Sequence, residues 1–576
     1  LFFVEVEYAD GPAETYQLPL AFSTAAVAEE LTARHAESVL GALTTSFGSG
    51  MLHDAVTRED FRQSLLALIE RNSTLAMSTI HTAEVDLVPA VPVGGVAPIP
   101  RAPAGSPQDD AGAPLPQPAP GGLVAPVPIS AQPGEAAAPP RSEEPVAHSA
   151  STQQLQPRES PLSGDAGARA GRLDARAAKA LAESHLLEPL PSRVGSAEQS
   201  NTSILYGEQM ILKLFRRLQP GENPDVEIGR FLTEVARFPR IPPFLGEIAV
   251  TSASGEKTTV AMLQGLVANQ GDGWQWFLEQ LAGFFASVAD LPAPPDAPGP
   301  SFLNDRNPLR EALEHASPSL EAAALLGRRT AEMHLALATP TSDPAFAAEP
   351  FTSKDLDRDG RRINAQITST LEALKIKLST LKDQVADDAA LLLSRRIQLF
   401  ARANAITAQT AGGQRIRIHG DFHLGQTLMT GTSFAGQGSD SGDFVLLDFE
   451  GEPARPLAER REKQSPLKDM AGMIRSLSYA AYSGLDRFLA ANPELTRGRP
   501  ENATAWAVLW QNSTSSQFLR AYHETIAANP ALLPPTQQCQ ALLGAYLLEK
   551  ALYELLYELN NRPAWLRIPL AGILAL

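Results

Sequence analysis

The amino-acid sequence predicts an α+β protein in two lobes, the first rich in strands and the second helical. Apolar β-like runs at 204–206 and 210–215 flank a short turn, and the run 258–267 is another predicted strand. Beyond it, helical spacing of apolar residues dominates to the C-terminus, except for strand-like pieces on either side of the segment 419–426. We therefore expect a strand-rich lobe followed by a helical one.

A small α+β unit is predicted ahead of these lobes. Alternating apolar residues on either side of an Asp-Gly turn predict a hairpin over residues 1–20. Helical spacing predicts helices near 25–46 and 58–71, and a strand at 83–88 completes the unit. We expect this unit to fold as a cap.

A proline-rich segment separates the predicted cap from the lobes. Eighteen of the chain's 47 prolines lie between Pro89 and Pro161, mixed with Ala, Gly, Ser and Gln. Such a composition buries too little apolar surface to offset chain entropy, so we expect a disordered linker, with peptide binding by its proline motifs as the weaker alternative. The predicted divisions are a cap at 1–88, the linker at 89–172, a strand-rich lobe at 173–268 and a helical lobe at 269–576.

Composition narrows the range of partners. The 576-residue chain carries a formal net charge of −17, which disfavours binding to a nucleic-acid backbone. No apolar run approaches the ~20 residues that cross a bilayer, so we expect no membrane partner. The single cysteine, Cys539, excludes an intrachain disulfide and fits a reducing cytoplasm, which is the predicted location.

The segment "HGDFHLGQ" carries the first chemical signal. Its His-x-Asp spacing matches the catalytic loop of kinases, H-x-D-x-x-x-x-N, which makes Asp421 the candidate base. Gln426 stands where an asparagine usually binds metal. The later run "LLDFE" offers Asp448 as the principal Mg²⁺ ligand and Glu450 as a second, because hard cations prefer carboxylate oxygens. Together these residues predict phosphoryl transfer.

The strand-rich lobe supplies candidates for the nucleotide phosphates. Lys213 lies in the predicted strand "MILKLF" and Glu227 on the following helix, which repeats the lysine–glutamate ion pair of kinases. A glycine-rich phosphate loop is missing. Its place is taken by "SAEQSNTS", in which four residues offer donors to phosphate oxygens: Ser200, Asn201, Thr202 and Ser203.

Each of these features alone has a simpler explanation. A His-Gly-Asp sequence is often only a turn, an apolar strand often ends in aspartate, and a strand lysine is usually just exposed. Their occurrence together and in this order favours a nucleotide-dependent phosphotransferase.

Longer segments resemble the bacterial maltokinases. They include "EQSNTSILYG", "LKLFRRLQPGENPDVEIGRFLTE", "VANQGDGW", "LGRRTAEMHLAL", "HGDFHLGQTL", "LLDFEGEPARPLAERREKQSPLKDMAGMIRS" and "EKALYELLYELNNRPAWLRIPL". The resemblance spans residues 1–88 and 173–576. It implies the two-lobed, protein-kinase-like fold of aminoglycoside phosphotransferases with an added N-terminal cap. It also implies phosphorylation of maltose at its anomeric hydroxyl by ATP and Mg²⁺, feeding α-glucan (glycogen) synthesis.

In that family the kinase is often fused behind a trehalose synthase. The chain has no initiator Met, so the resemblance raises the expectation that it is the C-terminal part of such a fusion, or associates with trehalose synthase.

The resemblance also implies roles for further residues. The segment 262–267 would be the hinge that holds adenine through backbone groups, including those of Gln264 and Leu266. Asp469 would brace the catalytic loop. His423 would either face the acceptor or pack beneath the loop.

Lys550, Tyr553 and Tyr557 share one helix face by their spacing. Spacing alone favours a core stripe with polar tips, whereas the resemblance implies a wall for a disaccharide, which Trp565 would join or merely pack beside.

Two rival functions remain open at this point. One is a phosphotransferase of the same fold acting on another sugar, an aminoglycoside or choline. The other is a non-catalytic nucleotide-binding module that regulates a fused trehalose synthase. Cationic acceptors need an acidic wall, whereas the Lys-Tyr-Tyr face favours a neutral one, and the presence of both Asp421 and Asp448 favours an enzyme.

Overall fold

A computed structural model describes most of the chain outside the proline-rich segment. The described residues are 1–8, 13–46, 48–77, 171–183, 190–197, 201–303, 307–431, 442–493 and 500–576. The predicted strand at 83–88 and nearly all of the predicted linker lie outside these ranges. No helix among the described residues combines the length and the apolar composition needed to span a bilayer.

The N-terminal unit combines short antiparallel strands with two helices. Its elements are β1 (Phe2–Val6), β2 (Glu14–Leu18), β3 (Leu20–Thr24), α1 (Ala25–Arg34), β4 (Val39–Thr45), β5 (Gly48–Asp54), α2 (Glu59–Glu70) and β6 (Thr74–Ala76). The predicted hairpin is confirmed, because β1 pairs with β2 in the register Val4↔Tyr16. The predicted helix at 58–71 is confirmed as α2.

The predicted helix over 25–46 is wrong beyond residue 34. Its second half forms β4, which pairs with β5 in an antiparallel ladder. Ala and Leu in this stretch favour a helix weakly, and cross-strand pairing outweighs that preference.

The strand-rich lobe is built on one antiparallel sheet. Its elements are β7 (Arg172–Ala177), α3 (Lys179–Glu183), β8 (Ser192–Ala197), β9 (Asn201–Tyr206), β10 (Met210–Phe215), β11 (Arg217–Leu218), α4 (Pro224–Arg230), β12 (Phe244–Thr251) and β13 (Lys257–Gly265). The sheet order is β6-β7-β12-β13-β10-β9-β8, and β11 pairs with β2. Residues 1–77 therefore join this lobe in two places. They add β6 to its main sheet, and their β2 pairs with its β11. The predicted strands at 204–206, 210–215 and 258–267 are confirmed as β9, β10 and β13.

The second lobe is mainly helical, as the sequence predicts. Its elements are α5 (Gly273–Val288), α6 (Arg310–His315), α7 (Ser317–Leu337), β14 (Glu349–Pro350), α8 (Ser353–Lys377), α9 (Asp383–Ser394), α10 (Arg396–Asn404), β15 (Gln414–Arg415), β16 (Thr427–Thr430), β17 (Asp443–Leu446), α11 (Leu457–Arg460), α12 (Leu467–Ala491), α13 (Pro500–Ile526), α14 (Thr536–Asn561) and α15 (Arg567–Ala575).

Close helix packing makes the second lobe a rigid support. Gly327 on α7 faces the carbonyl oxygen of Phe518 on α13, which would lie 2.2 Å from a Cβ at position 327. The two helices can therefore approach closely only because this residue has no side chain. The loop between β15 and β16 and the loop after β17 lie on this support, and both carry predicted site residues.

Candidate active site

The loop that carries Asp421 is held by a buried carboxylate on α12. Asp469 accepts the backbone N–H of His419 at 2.8 Å and that of Gly420 at 2.9 Å. His334 Nε2 lies 3.0 Å from the same carboxylate. Burial alone would raise the pKa of Asp469, but the bonds from His334 and the loop lower it. The prediction that Asp469 braces this loop is confirmed.

Two carboxylates of the loop after β17 meet a third from α4 at one place. Gln426 Nε2 donates to Asp448 Oδ2 at 2.8 Å. Oxygens of Asp448, Glu450 and Asp225 lie within 4.8 Å of one another, a spacing that can hold a metal ion. Burial, followed by the Asp448 and Asp225 carboxylates, raises the pKa of Glu450 to about 7. An all-oxygen donor set suits Mg²⁺, so the residues fit the expected ion.

Asp448 has an unusual backbone conformation. Its φ is +62°, in the left-handed region that side chains other than glycine rarely adopt. The turn aims the carboxylate away from the direction of β17 and towards Gln426 and Lys213. The strained backbone therefore belongs to one of the three carboxylate residues of the candidate metal cluster.

Lys213 lies on β10 and points between the two lobes. Its Nζ donates to Asp225 Oδ2 at 2.9 Å and lies 3.8 Å from Asp448 Oδ1. Burial would lower the pKa of Lys213, but the carboxylates of Asp225, Asp448 and Glu450 outweigh burial and raise it. The lysine is therefore a cation held beside the carboxylates of Asp225 and Asp448.

The predicted ion pair between Lys213 and Glu227 is wrong. Glu227 accepts instead from Arg417 Nη1 at 2.7 Å. It also accepts from Nε and Nη2 of Arg461, each at 3.0 Å. Both arginines belong to the helical lobe, so Glu227 ties α4 across the interface. Asp225, two residues earlier on α4, takes the place beside Lys213.

The predicted phosphate loop falls only partly within the described residues. Ser200 lies outside them, and Asn201, Thr202 and Ser203 open β9. The Thr202 hydroxyl is buried and accepts from Arg216 Nε at 2.8 Å. Ser203 lies opposite Lys213 in the β9–β10 ladder. Asn201 and Ser203 are only partly buried, and they are closer to open solvent than Thr202.

The predicted hinge includes the end of β13. Gln264 is buried in the strand, and its ladder partners are Ile211 and Phe244. Leu266 follows the strand, and its N–H donates to the Gln209 carbonyl at 2.8 Å. That N–H is therefore engaged within the lobe.

At the other end of the site, a second lysine bridges two carboxylates. Lys550 Nζ donates to Asp421 Oδ1 at 3.1 Å and to Glu452 Oε1 at 2.7 Å, and it lies 5.1 Å from the Tyr553 ring centre. Burial favours a neutral Glu452, but Lys550 and Arg455 lower its pKa to about 2. Glu452 is therefore an anionic partner of the Lys550 ammonium group, which also contacts Asp421.

A cleft lies against the loop of Asp421, lined by Gly420 and Phe422 of that loop, and spans about 690 Å³ including its part open to solvent. One face of α14 lines it with Tyr546, Glu549, Lys550 and Tyr553. Tyr557 is not among the lining residues; its ring lies 5.4 Å from the Arg562 guanidinium, which also covers Trp565 at 4.7 Å. The α14 face that meets the cleft is therefore shifted towards the N-terminus of the helix compared with the predicted one.

His423 contacts its own loop. Its Nδ1 accepts the N–H of Gly425 at 3.1 Å, which caps the short helical turn 424–426. Burial lowers its pKa to about 4, so the ring is neutral at pH 7. His423 does not line the cleft.

Sequence reasoning missed three residues that the structure brings to the site: Asp225, Glu452 and Arg460. Asp225 follows a proline at the start of a predicted helix, and Glu452 is the second glutamate of "DFEGE". Arg460 is one of several arginines in "EPARPLAERRE". None of these positions carries a local signal that separates it from an ordinary surface charge.

Comparison with known proteins identifies distant relatives. No protein-family model matches the chain. It is 26% identical over 386 residues to the glucosamine kinase of Streptacidiphilus jiangxiensis, covering 65% of this chain and 70% of that protein. It is 26% identical over 385 residues to the glucosamine kinase of Mycolicibacterium smegmatis, covering 66% and 78%. The chain is a distant relative of glucosamine kinases.

Solved structures agree on the fold. A glucosamine kinase in complex with glucosamine, ADP and inorganic phosphate matches with a TM-score of 0.50 and 22% identity, over 70% of this chain and 81% of that one. A second crystal form of a glucosamine kinase matches with a TM-score of 0.50 and 21% identity, over 70% and 77%. The predicted two-lobed, kinase-like α+β fold is thereby confirmed.

Proposed function

We propose that this protein is an ATP-dependent phosphotransferase that phosphorylates maltose at its anomeric hydroxyl, giving maltose 1-phosphate for α-glucan synthesis. The observation that carries the proposal is the position of Asp421. Its carboxylate accepts from Lys550, which lines the acceptor cleft, and it lies on the same loop as Gln426, which bonds the candidate metal ligand Asp448.

The residues divide the reaction between two ends of the site. Lys213 would contact the ATP phosphates, and Asp448, Gln426 and Glu450 would hold Mg²⁺, which neutralises phosphate charge when bound. Asp421 would orient the sugar hydroxyl and take its proton. The new bond joins the sugar oxygen to the γ-phosphorus, the bond from that phosphorus to the β,γ-bridging oxygen breaks, and ADP leaves.

Charge in the cleft supports a neutral acceptor. The lining includes four cations (Arg455, Arg460, Lys468 and Lys550) and three carboxylates (Glu452, Asp469 and Glu549). Lys550 and Arg455 neutralise Glu452, Arg362 neutralises Glu549, and Asp469 is engaged by the catalytic loop. Asp421, on the neighbouring loop, is itself paired with Lys550, so among the described residues at this cleft a cationic acceptor would find no carboxylate without a partner. Tyr553 adds aromatic surface and a hydroxyl group that suit sugar rings, whereas Tyr546 is buried and its hydroxyl donates to Asp359 at 2.7 Å.

Phosphorylation of glucosamine is the second candidate function. The distant relatives are glucosamine kinases, and one of them holds glucosamine in its structure. The amine of glucosamine would have to displace Lys550 from Asp421 or from Glu452 in this protein. We therefore rank glucosamine below maltose as the acceptor.

The test is ADP release from ATP and Mg²⁺ against a panel of maltose, glucosamine, glucose, choline and an aminoglycoside. We expect the highest kcat/KM with maltose. A preference for glucosamine would overturn the choice of sugar and leave the phosphotransferase standing. If none of these acceptors supports ADP release although the protein binds ATP, the result would favour a non-catalytic module that regulates a fused trehalose synthase. The Asp421→Asn variant is the control for contaminating kinases.

A further inference from the structure

Three arginines follow the metal-binding loop, and one of them differs from the others. Arg455 donates to Glu452 at 2.5 Å, and Arg461 makes a two-pronged contact with Glu227. Among the residues that the structure describes, no carboxylate lies within ion-pair distance of Arg460. Arg460 is therefore the cation of this group that has no carboxylate in direct contact among the described residues, although Glu450 and Asp448 lie near enough to attract its charge.

The contacts of Arg460 place it between the two ends of the site. Its Nη1 donates to the carbonyl of Glu450 at 3.0 Å, and its Nη2 donates to the side-chain oxygen of Gln219 in the strand-rich lobe. Its Nε is buried and has no hydrogen-bond partner among the described residues. Arg460 also lines the cleft that holds Lys550. Its neighbours are thus the metal loop on one side and the acceptor space on the other.

A glycine makes room for this arrangement. A Cβ at Gly451 would lie 3.4 Å from both Cβ and Cγ of Arg460, at the short limit of ordinary van der Waals contact. Gly451 also has a φ of +75°, which disfavours other residues. The arginine stem therefore lies directly over this glycine, which also approaches Gly420 of the catalytic loop.

Arg460 is partly buried, and a guanidinium withdrawn from water without a carboxylate in contact is stabilised when another anion meets it. In phosphoryl transfer, negative charge is spread over the three outer oxygens of the moving group, and a nearby arginine stabilises it. The planar guanidinium matches phosphate geometry. The position and the missing counter-charge of Arg460 both fit this role.

We propose that Arg460 is a catalytic residue that contacts the phosphoryl group during its transfer from ATP to the acceptor. The inference rests on the proposed phosphotransferase activity and not on the choice of maltose. The competing explanation is structural: Arg460 would only tie Gln219 to the carbonyl of Glu450 and so fix the two lobes together.

Two substitutions separate these explanations. Arg460→Gln removes the charge and retains donors for Gln219 or the Glu450 carbonyl, whereas Arg460→Lys keeps the charge without the fork. We expect kcat to fall by about 100-fold in Arg460→Gln, with a smaller loss in Arg460→Lys. The KM for ATP should change by no more than about twofold, because the contact is made in the transition state. The exposed Arg310→Gln on α6 is the matched control, with unchanged kinetics.

A binding measurement gives a second readout that needs no sugar. ADP with Mg²⁺ and aluminium fluoride imitates the phosphoryl group in transfer. We expect Arg460→Gln to weaken binding of this mixture by about the factor lost in kcat, and to leave ADP with Mg²⁺ alone unchanged. Equal weakening of both mixtures, or unchanged kcat, would overturn the catalytic role.

The controls keep failures distinguishable. If Arg460→Gln does not fold, Arg460→Lys still tests the role, because an unchanged kcat there together with unchanged binding of the aluminium fluoride mixture contradicts it. If the wild-type protein transfers phosphate to no acceptor, yet Arg460→Gln selectively loses aluminium fluoride binding, the proposed function fails while the contact is supported. If wild type transfers phosphate to a sugar and Arg460→Gln does so equally well, only the inference on Arg460 fails.

Discussion

The two ends of the candidate site share a design and differ in where its parts come from. At each end one buried lysine lies between two carboxylates: Lys213 between Asp225 and Asp448, and Lys550 between Asp421 and Glu452. The carboxylates around Lys213 come from both lobes. Those around Lys550 both come from the helical lobe.

This difference separates the assembly of the two ends. The nucleotide end depends on the approach of the lobes, since Asp225 also accepts the N–H of Phe449 across the interface at 3.0 Å. The acceptor end is complete within one rigid lobe. We therefore expect substitutions at the acceptor end to affect chemistry or sugar binding alone, and substitutions at the nucleotide end to affect nucleotide binding and lobe contacts together.

The largest expected effect is that of Asp421→Asn. The amide cannot take the hydroxyl proton, so we expect kcat to fall by about 10³-fold. Binding of ATP with Mg²⁺, measured by calorimetry, should stay near the wild-type value because the side-chain partner of Asp421 among the described residues is Lys550, in the helical lobe. Full activity in this variant would remove Asp421 as the base, and lost nucleotide binding would break the separation of the two ends.

Asp448→Ala should act on the nucleotide end instead. Without the carboxylate that meets Gln426, we expect Mg²⁺-dependent affinity for ATP to fall by about 100-fold. Calorimetry with and without Mg²⁺ measures the effect. If affinity falls equally in the absence of Mg²⁺, the metal-binding role is contradicted.

A paired substitution on α4 tests which acid supports Lys213. Asp225→Asn weakens a charge-assisted bond to Lys213, and we expect the KM for ATP to rise about tenfold. Glu227→Gln leaves Arg417 and Arg461 without their carboxylate, so it should lower the melting temperature more and the KM less. The reverse result would restore Glu227 as the partner of the lysine.

The smallest expected effect concerns His423 and pH. Its folded pKa of about 4 lies below the ordinary 6.5, so the unfolded chain binds a proton in this window and the folded chain does not. Stability from this group is therefore lost as pH falls from 6.5 through 4, by about 3 kcal/mol in all. Urea unfolding of wild type and His423→Gln across this range should show the difference between them shrinking at low pH. Parallel curves would contradict the assignment.

Local patterns in the sequence were enough for parts of this site and not for others. The loops of Asp421 and Asp448 each follow a short strand. The second loop lies beside the first because β16, which follows the Asp421 loop, pairs with β17, which precedes Asp448. The order of the two motifs in the sequence was therefore enough to predict that the loops are neighbours. The partner of Lys213 could not be chosen in this way. Asp225 and Glu227 lie on one short helix, and the choice depends on Arg417 and Arg461, about 190 and 234 positions away in the chain.

The acceptor wall shows the same limit. Spacing on α14 correctly grouped Lys550 with Tyr553, yet the helix presents Tyr546 and Glu549 to the cleft and leaves Tyr557 beside Arg562. Which end of an amphipathic stripe meets the cleft is decided by neighbouring helices, which the stripe itself does not encode.

The backbone at Asp448 has a consequence for how this chain came to have its sequence. Selection for a robust fold alone would favour glycine or asparagine at a position with φ of +62°, and would not set another negative charge beside Glu450 and Asp225. An aspartate here therefore lowers the stability of the folded protein compared with glycine. In the proposed function its carboxylate would hold Mg²⁺, so we expect the most heat-resistant protein and the catalytically active one to carry different residues at this position.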